Sequence, residues 1–320
     1  SQPSVESLEQ AFTHAPIDLQ NNSIRLLEVL PADPNDPNSI IQCRLRHDTT
    51  TAVYTCLSYV WGPEDPLRKR MILINGKTFW VRHNLVKFLE IASQHFEEAV
   101  QSLWVDALCI DQLNLIEKSH QVQRMGMIYS NADHVIAWLG KDQKLRHWFP
   151  RVEMLFKDYL EISYNQEFID GLRDLCHDDY WHRAWITQET ILAQHICYLA
   201  DDEALCPDTT LATVLDSVAA GDLNMSNWAQ QMIYRRDHHR TLRRQGRKLM
   251  QNLADFISKD CLDPRDKIYS LLSISCDVAD IAVDYNSPPI ALAKTLSERL
   301  GLTCICKAAS IKLIFKALGL

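Results

Sequence analysis

The spacing of apolar residues changes along the chain and predicts strands in some stretches and helices in others. Four short apolar runs are bounded by turn residues, which is typical of buried strands. These runs cover residues 54–60, 103–107, 134–139 and 195–199. Between them, residues 84–96 and 117–129 carry apolar side chains at helical spacing, and Asn84 is the expected N-cap of the first helix. Strands that alternate with helices in this way predict a parallel sheet in an α/β domain.

The stretches on either side of this pattern add further elements. Residues 24–30 and 40–46 alternate like two strands, and Asn75-Gly76 between two β-rich runs predicts a tight hairpin. Helices are expected over residues 149–164, 167–176 and 181–193, from 207 to about 260, and from 291 onward. We therefore expect an N-terminal β extension over 1–50, an α/β core over 51–205 and a helical C-terminal lobe over 206–320.

Composition and charge exclude several classes of protein. The chain has 320 residues, of which 47% are hydrophobic, and 33 Lys and Arg against 41 Asp and Glu give a net charge of −8. This balance is that of a globular protein, and the acidic total argues against nucleic acid as a partner. Only nine glycines are present, and neither a GxGxxG nor a GxxxxGK[ST] loop occurs. No apolar run is long enough for a membrane span, so we expect no stable membrane insertion.

The ten cysteines do not have the spacing of a metal site or of a disulfide framework. Cys56, Cys109 and Cys197 lie inside apolar runs, where cysteine packs as a small hydrophobic side chain, and no CxxC pair occurs. We therefore predict free thiols, no bound metal and a cytoplasmic protein.

Five motifs resemble the fungal heterokaryon-incompatibility (HET) domain. They are LSYVWG (57–62), LWVDALCIDQ (103–112), QVQRMGMIYSNADHVIAWLG (121–140), RAWITQE (183–189) and DPRDKIYSLL (263–272). The resemblance runs from about residue 54 to 275 and departs from the family at Asp111, where Asn is more frequent. It implies a cell-death effector of fungal non-self recognition.

A second resemblance, to Toll/interleukin-1 receptor (TIR) domains, concerns the chemistry. YTCLSYVWG (54–62) is similar to the first box of that family, and Trp185 and Glu189 reproduce the Trp-x-x-x-Glu spacing of its NAD-hydrolysing members. The resemblance implies a TIR-like, flavodoxin-like three-layer α/β domain with a short, mainly parallel sheet. It also implies an NAD nucleosidase in which Glu189 is catalytic, NAD is the substrate and no other cofactor is used. Homo-oligomerisation on activation and an upstream recognition protein are the partners that it implies.

The residue types suit this chemistry. Loss of nicotinamide from NAD needs a carboxylate that binds ribose hydroxyls and stabilises a developing oxocarbenium charge, and Glu189 can supply it. Ligands of open α/β sheets bind beyond the carboxyl ends of the strands. The residues expected to bind NAD there, or beside Glu189, are Ser58, Tyr59, Trp61, Gly62, Asp106, Arg183 and Trp185.

Structural alternatives exist for three of these residues and for the function. Glu189 could form a helix-surface ion pair with Arg183 or Arg240, Trp61 could seal the edge of the core, and Asp106 could cap the following turn. The alternative function is a non-enzymatic, self-associating signalling module that recruits partners to trigger cell death. The basic residues of segment 235–248 suit a solvated helix face, or else attraction to phosphate or to an acidic protein.

Overall fold

The computed structural model describes residues 10–33, 36, 39–95, 102–157, 166–202, 204–219, 236, 246–302 and 307–320. Nine strands form one sheet in this part of the chain. They are β1 (Ser23–Val29), β2 (Gln42–Thr49), β3 (Thr55–Tyr59), β4 (Arg70–Ile74), β5 (Lys77–Val81), β6 (Leu103–Trp104), β7 (His134–Trp138), β8 (Ile196–Ala200) and β9 (Ala204–Pro207). Their order across the sheet is β5-β4-β2-β1-β6-β3-β7-β8-β9. The expected α/β class is confirmed.

The four strands predicted from the apolar runs form the parallel centre of the sheet. β6 and β7 both pair in parallel with β3, and β8 pairs in parallel with β7. Cys56 pairs with Trp104, so Ser58 and Asp106, each two residues further along, reach the same edge of the sheet, as predicted. β3 comes first in the chain but lies between β6 and β7, and in such sheets this reversal of strand order marks where ligands bind.

The sheet is larger and more mixed than the short, mainly parallel sheet that we predicted. β1 runs antiparallel to both β2 and β6, and β8 runs antiparallel to β9, so antiparallel strands flank the parallel centre on both sides. The pairing of Leu27 with Leu103 brings the N-terminal strands into the sheet of the core. The Asn75-Gly76 hairpin between β4 and β5 is confirmed, with φ of 52° and 76° at its two residues.

The described helices confirm most of the helices that the spacing of apolar residues predicts. The described helices are α1 (His83–His95), α2 (Asp106–Cys109), α3 (Leu115–Asn131), α4 (Gln143–Lys157), α5 (Gln166–Cys176), α6 (Ile186–Leu192), α7 (Asp208–Ala219), α8 (Leu249–Phe256), α9 (Asp266–Leu272), α10 (Pro289–Arg299) and α11 (Ala308–Leu318). α4 begins six residues before the predicted start because Asp142 Oδ1 accepts hydrogen bonds from the backbone N–H groups of Lys144 and Leu145.

Three predictions about individual elements are wrong. The strand expected over 103–107 ends at Trp104, because the backbone turns at Val105, whose carbonyl accepts the Cys109 N–H at 2.7 Å, and α2 begins at Asp106. Asn84 lies inside α1 rather than at its N-cap, and its side chain donates to the Val60 carbonyl instead. The helix expected over 181–193 is broken, because Ala184 N–H bonds the Asp260 carbonyl between a short 3₁₀ turn at Asp179–His182 and α6.

The core contains one buried ion pair. Arg25 in β1 and Glu117 in α3 are both buried, and two hydrogen bonds of 2.6 and 2.9 Å join them. Burial raises the pKa of Glu117, but its hydrogen bonds from Arg25 and from the Asp111 N–H, with the charge of Arg25, outweigh this and lower it. Trp104 and Trp138 are buried core residues, as predicted.

Two further predictions concern cysteines and the basic segment. The eight cysteines in the described residues are free. Most of segment 235–248 lies outside the described residues, although Arg236 is described and is buried, with its guanidinium donating to the Gln194 carbonyl.

Candidate functional site

A cleft of about 560 Å³ opens where β3 and β6 end. Its first wall follows these two strands and its second wall comes from the start of α6 and from the C-terminal part of the chain. The first wall includes Val60, Trp61, Gly62, Arg82 and Asp106, and the second includes Arg183, Trp185, Asp260, Asp263, Asp266 and Tyr285. The volume falls in the range of small-molecule sites, about 300–1,000 Å³.

Trp61 and Asp106 form the centre of the first wall. Trp61 Nε1 donates to both carboxylate oxygens of Asp106, at 2.9 and 3.1 Å, and the Ala107 N–H donates to Oδ1 at 2.7 Å. Burial raises the pKa of Asp106, and the charge of Arg183 partly opposes this effect. Asp106 lines the cleft, and its carboxylate accepts the Ala107 N–H of the following turn, although α2 has no side-chain N-cap hydrogen bond.

Two guanidinium groups lie against the Trp61 ring. Arg82 is 5.2 Å and Arg183 is 6.0 Å from the ring centroid. Arg82 donates to the Gly62 carbonyl and Arg183 to the Tyr59 carbonyl, so backbone groups at the end of β3 hold both cations at the cleft. Gly62 has φ of +72°, and a Cβ there would approach the Asn84 side chain to 3.0 Å, so this turn requires glycine.

Asp266 at the start of α9 forms the centre of the second wall. The Tyr285 hydroxyl donates to Asp266 Oδ1 at 2.5 Å, and Trp185 lines the same wall. Burial raises the pKa of Asp266, and the hydrogen bond from Tyr285 opposes the increase. Lys118 Nζ lies 4.5 Å from the centre of the Tyr285 ring and lines the same cleft.

Arg265 fixes the position of Tyr285. Its guanidinium binds Asp263 through two hydrogen bonds of 2.6 and 2.9 Å, and it donates to the carbonyls of Tyr285 and Ser287 at 3.0 and 2.6 Å. This anchors the chain around residue 285 to the start of α9. The DPRDKIYSLL motif therefore builds a wall of the cleft.

Glu189 is buried beside the cleft and does not line it. Only 1% of the residue is exposed, and its carboxylate accepts a hydrogen bond from Ser58 Oγ at 2.5 Å. Ser58 Oγ is also 2.8 Å from the Tyr180 hydroxyl. Burial raises the pKa of Glu189 to about 7, with Arg183 opposing the rise and Asp106 adding to it. The interpretation of Glu189 as a helix-surface ion pair is wrong, because α6 is buried throughout this stretch.

Lys259 is a second buried ionisable group near Glu189. Its ammonium donates to the Trp181 carbonyl at 2.8 Å, and burial lowers its pKa to about 7 while the charge of Glu189 opposes this effect. Trp181 is adjacent to Tyr180 in the chain, so Lys259 and the Ser58–Glu189 pair hold the same 3₁₀ turn from two sides.

The structure brings most of the predicted residues together. Trp61, Gly62, Asp106, Arg183 and Trp185 line the cleft. Ser58, Tyr59 and Glu189 are buried. Trp61 is only partly buried and packs against the core as well as lining the cleft, so it has both of the roles considered for it.

Sequence reasoning found Arg183 and Trp185 but missed the other residues of the second wall as ligand contacts. Asp266 lies within a motif that we identified, but nothing in the motif indicated that it faces the same cleft as Asp106. Lys118 lies on α3, one residue after Glu117, and could have been found as a polar side chain in the first turn of that helix. Tyr285 lies in an irregular segment with no local pattern to single it out.

Comparisons with known proteins find one family that the central segment resembles. Residues 54–189 match the family described as "Heterokaryon incompatibility protein (HET)". The segment is similar to the HET family over these residues, which make up less than half of the chain. The chain is also 28% identical over 198 residues to "Heterokaryon incompatibility protein 6, OR allele" of Neurospora crassa, an alignment that covers 57% of the chain and 27% of that protein. The chain thus spans about a quarter of the length of this relative. No solved structure matches the chain.

The HET match divides the cleft between two parts of the chain. It contains the first wall and extends to Glu189, whereas Asp260, Asp263, Asp266 and Tyr285 come after the matched residues. The second wall is therefore supplied partly by the matched segment, through Arg183 and Trp185, and partly by residues that follow it. Asp111 departs from the residue more frequent in the family without losing its loop contact, because its Oδ1 accepts the Leu113 N–H, a bond that Asn can also accept.

Membrane and metal sites were also sought in the described residues. None of the described helices combines the length and the apolar character that crossing a bilayer requires. No group of three or more His, Cys, Asp or Glu side chains in this part of the chain is placed to hold a metal ion.

Proposed function

We propose that this protein is a cell-death effector of fungal heterokaryon incompatibility that cleaves NAD to nicotinamide and ADP-ribose, or to a cyclised form, in the cleft. The observation that carries the proposal is the composition of the cleft at the carboxyl edge of the parallel strands. It combines two tryptophans, two arginines and a buried carboxylate, supplied by both walls of the cleft. The name of the Neurospora relative and the HET match support the role in incompatibility.

Each part of NAD has a suitable partner in the cleft. Arg82 and Arg183 can bind the pyrophosphate through charge-assisted hydrogen bonds. The faces of Trp61 and Trp185 can stack on planar rings. Asp106 can accept hydrogen bonds from ribose hydroxyls, because a carboxylate with three N–H contacts still has free acceptor capacity.

The proposed reaction is hydrolysis of one glycosidic bond. The bond between ribose C1′ and the nicotinamide nitrogen breaks, and its electron pair leaves with nicotinamide, which departs neutral. Water adds to C1′ of the oxocarbenium ion and loses one proton to solvent; in the cyclised product an adenine nitrogen adds in its place. A carboxylate lowers the barrier by stabilising the positive charge as it develops on the sugar.

Two carboxylates are candidates for this role. The TIR resemblance assigns it to Glu189, whereas the geometry places Asp106 at the surface of the cleft. For Glu189 to touch the sugar, Ser58 and Tyr180 must move when the substrate binds, because their hydroxyls now form a buried network with its carboxylate. In the proposal Glu189 is the catalytic residue and Asp106 binds the ribose.

Nicotinamide release by the concentrated protein tests the proposal. Glu189→Gln should lower the rate by roughly 10²–10³-fold if the lost charge is worth as much as one oxyanion-hole donor. Glu298→Gln, on the exposed face of α10, is the control and should be silent. Loss of activity in Asp106→Asn but not in Glu189→Gln would transfer the catalytic role to Asp106.

Exposed apolar residues near the cleft favour the second candidate, a self-associating signalling module. Leu113 is 95% exposed and Ile116 is 65% exposed at the start of α3, and Leu262 in the cleft wall is 82% exposed. Exposed apolar side chains that lie together are typical of an interaction surface, and Leu113 and Ile116 are close in sequence at the start of α3. A protein that assembles and kills cells but never consumes NAD, and that loses both properties in Leu113→Asp, would establish this function instead.

A further inference from the structure

A second cavity, of about 690 Å³, lies beside the β4–β5 hairpin. Its walls come from the hairpin, from α1 and from the segments that follow β7 and β8, and no described residue lines both this cavity and the cleft. Met71 and Trp80, which pair across the hairpin, belong to its first wall. Trp80 is 61% exposed. We call this space the hairpin cavity, and it offers a partner an accessible indole as an anchor.

The outer side of β5, next to the hairpin cavity, is an edge of the sheet that is only partly covered. Thr78 donates its N–H to the Gln10 carbonyl at 2.9 Å, and its own carbonyl accepts the Phe12 N–H at 2.8 Å. The N-terminal segment then leaves this edge, and the imidazole of His14 bonds the Leu108 carbonyl instead. Residues 10–12 therefore cover the first part of β5 and leave its end open.

Trp80 presents a free peptide edge at this open end. In an antiparallel pair, the backbone groups of alternate residues face the partner strand and those of the residues between them face away. The N–H and C=O of Thr78 face away from β4, so those of Trp80, two residues later, do the same. No backbone group of a described residue bonds to them. An open edge of this kind accepts an extended peptide as an additional strand.

The charges of the hairpin cavity favour an acidic peptide. The cavity is lined by three cations and three carboxylates, namely Lys69, Arg70, Lys141, Glu90, Asp201 and Asp202. Each carboxylate already has a cationic partner, Lys87 for the first and Arg146 for the other two. Arg70 and Lys141, by contrast, are exposed and have no ion pair with a described residue. An acidic ligand would therefore meet two available positive charges, on a chain whose net charge is −8.

We propose that the hairpin cavity and the open end of β5 form a docking site for an extended, acidic segment of a partner protein. The segment adds to β5 as a further strand through the N–H and C=O of Trp80. Its side chains on one face lie beside the Trp80 ring, and its carboxylates approach Arg70 and Lys141. A second copy of this chain suits the site less well, because a symmetric pairing of two β5 edges would bring the same exposed cations together.

Fluorescence anisotropy with the whole chain tests the site, and the probe is a short labelled peptide of alternating Glu and Val. Two further peptides are the ligand controls. The first has Lys in place of Glu and reverses the charge, and the second has every backbone amide N-methylated, so it keeps the side chains but cannot donate to the edge. Each control peptide should bind at least about tenfold more weakly than the acidic peptide.

Variants of the cavity locate the binding. Arg70→Glu and Lys141→Glu should each weaken binding of the acidic peptide roughly 3–30-fold, because each removes an attraction and adds a repulsion. Trp80→Thr, which keeps a residue suited to a strand but removes the ring, should also weaken it. Lys294→Glu, on the exposed face of α10, changes the net charge equally and should leave binding unchanged.

The changed side chains are exposed and lie on different elements, so the result does not depend on the folding of one variant, which near-UV circular dichroism verifies. Absence of saturable binding would overturn the inference, as would equal binding of the acidic and N-methylated peptides, or binding that neither Arg70→Glu nor Lys141→Glu weakens. A wild type that dimerises in sedimentation and becomes monomeric in Trp80→Thr would assign the edge to a second copy instead. Nicotinamide release is not a readout here, so failure of the proposed function leaves this inference standing, and the converse also holds.

Discussion

Replacing Glu189 by Gln should change how the stability of the protein depends on pH. Glu189 is 1% exposed, and burial raises its pKa from an ordinary value of 4.5 to about 7. Between these two values the folded protein binds the proton more tightly than the unfolded chain does. The free energy of unfolding therefore falls as pH rises from about 4.5 to 7, and the contribution of the bound proton is gone above about 7.

The size of the effect follows from the two pKa values. Integrated between pH 5 and pH 7, a shift of this size costs the wild type about 2 kcal/mol of stability, a cost that Glu189→Gln avoids. Any penalty from an unsatisfied amide N–H in the variant is independent of pH and cancels in this comparison. The replacement also affects Lys259, because loss of the Glu189 charge lowers the pKa of Lys259 further below about 7. The folded variant then releases the Lys259 proton at a lower pH than the wild type does. This also makes the variant gain stability relative to the wild type as pH rises.

Urea titrations of wild type and Glu189→Gln at pH 5, 6 and 7 measure this difference. The variant should gain at least about 2 kcal/mol relative to the wild type between pH 5 and 7. Glu298→Gln, which alters an exposed glutamate of α10, should follow the wild type at every pH. If the curves of wild type and Glu189→Gln are parallel, Glu189 is not a buried carboxyl group with a raised pKa, and the description of the Ser58 network is wrong.

Three further predictions concern the folded core and the thiols. Glu117→Gln should destabilise the protein by about 3–5 kcal/mol in urea titrations, because it leaves the buried guanidinium of Arg25 without its partner charge; a change below about 1 kcal/mol would contradict this. Gly171→Ala should cost about 1–3 kcal/mol in the same assay, because the added Cβ would overlap the buried indole of Trp148; a stabilised variant would show that α5 packs differently. Denatured protein without reductant should show ten reactive thiols per chain, and each disulfide would lower this count by two.

Local patterns predicted the elements whose structure is set by nearby residues. The apolar runs gave all four parallel strands, because a strand buried on both faces must be apolar along its whole length. The Asn75-Gly76 hairpin was predictable because few residue pairs adopt positive φ at both positions. Asp142 could have given the start of α4, because a side-chain cap depends on residues only two and three positions away.

The features that the sequence did not predict depend on packing between residues that are far apart in the chain. Residues Thr187, Gln188, Glu189 and Thr190 are polar, which is typical of an exposed helix, yet all four are buried because α6 packs against β3, α3 and α9. The second wall depends on contacts between α9 and an irregular segment some twenty residues later, and on their approach to the end of β6. No periodicity encodes such contacts. For this reason the sequence predicted Asp106 as a ligand contact but not Asp266.

The most direct test of the account measures, by chromatography, the nicotinamide that the concentrated protein releases from NAD. The account predicts that the wild type consumes NAD and yields one nicotinamide per NAD, and that Glu189→Gln does so roughly 10²–10³-fold more slowly. Glu298→Gln should match the wild type. A concentrated, assembled wild type that binds NADH but releases no nicotinamide would contradict the assignment of the cleft as an NAD-cleaving site.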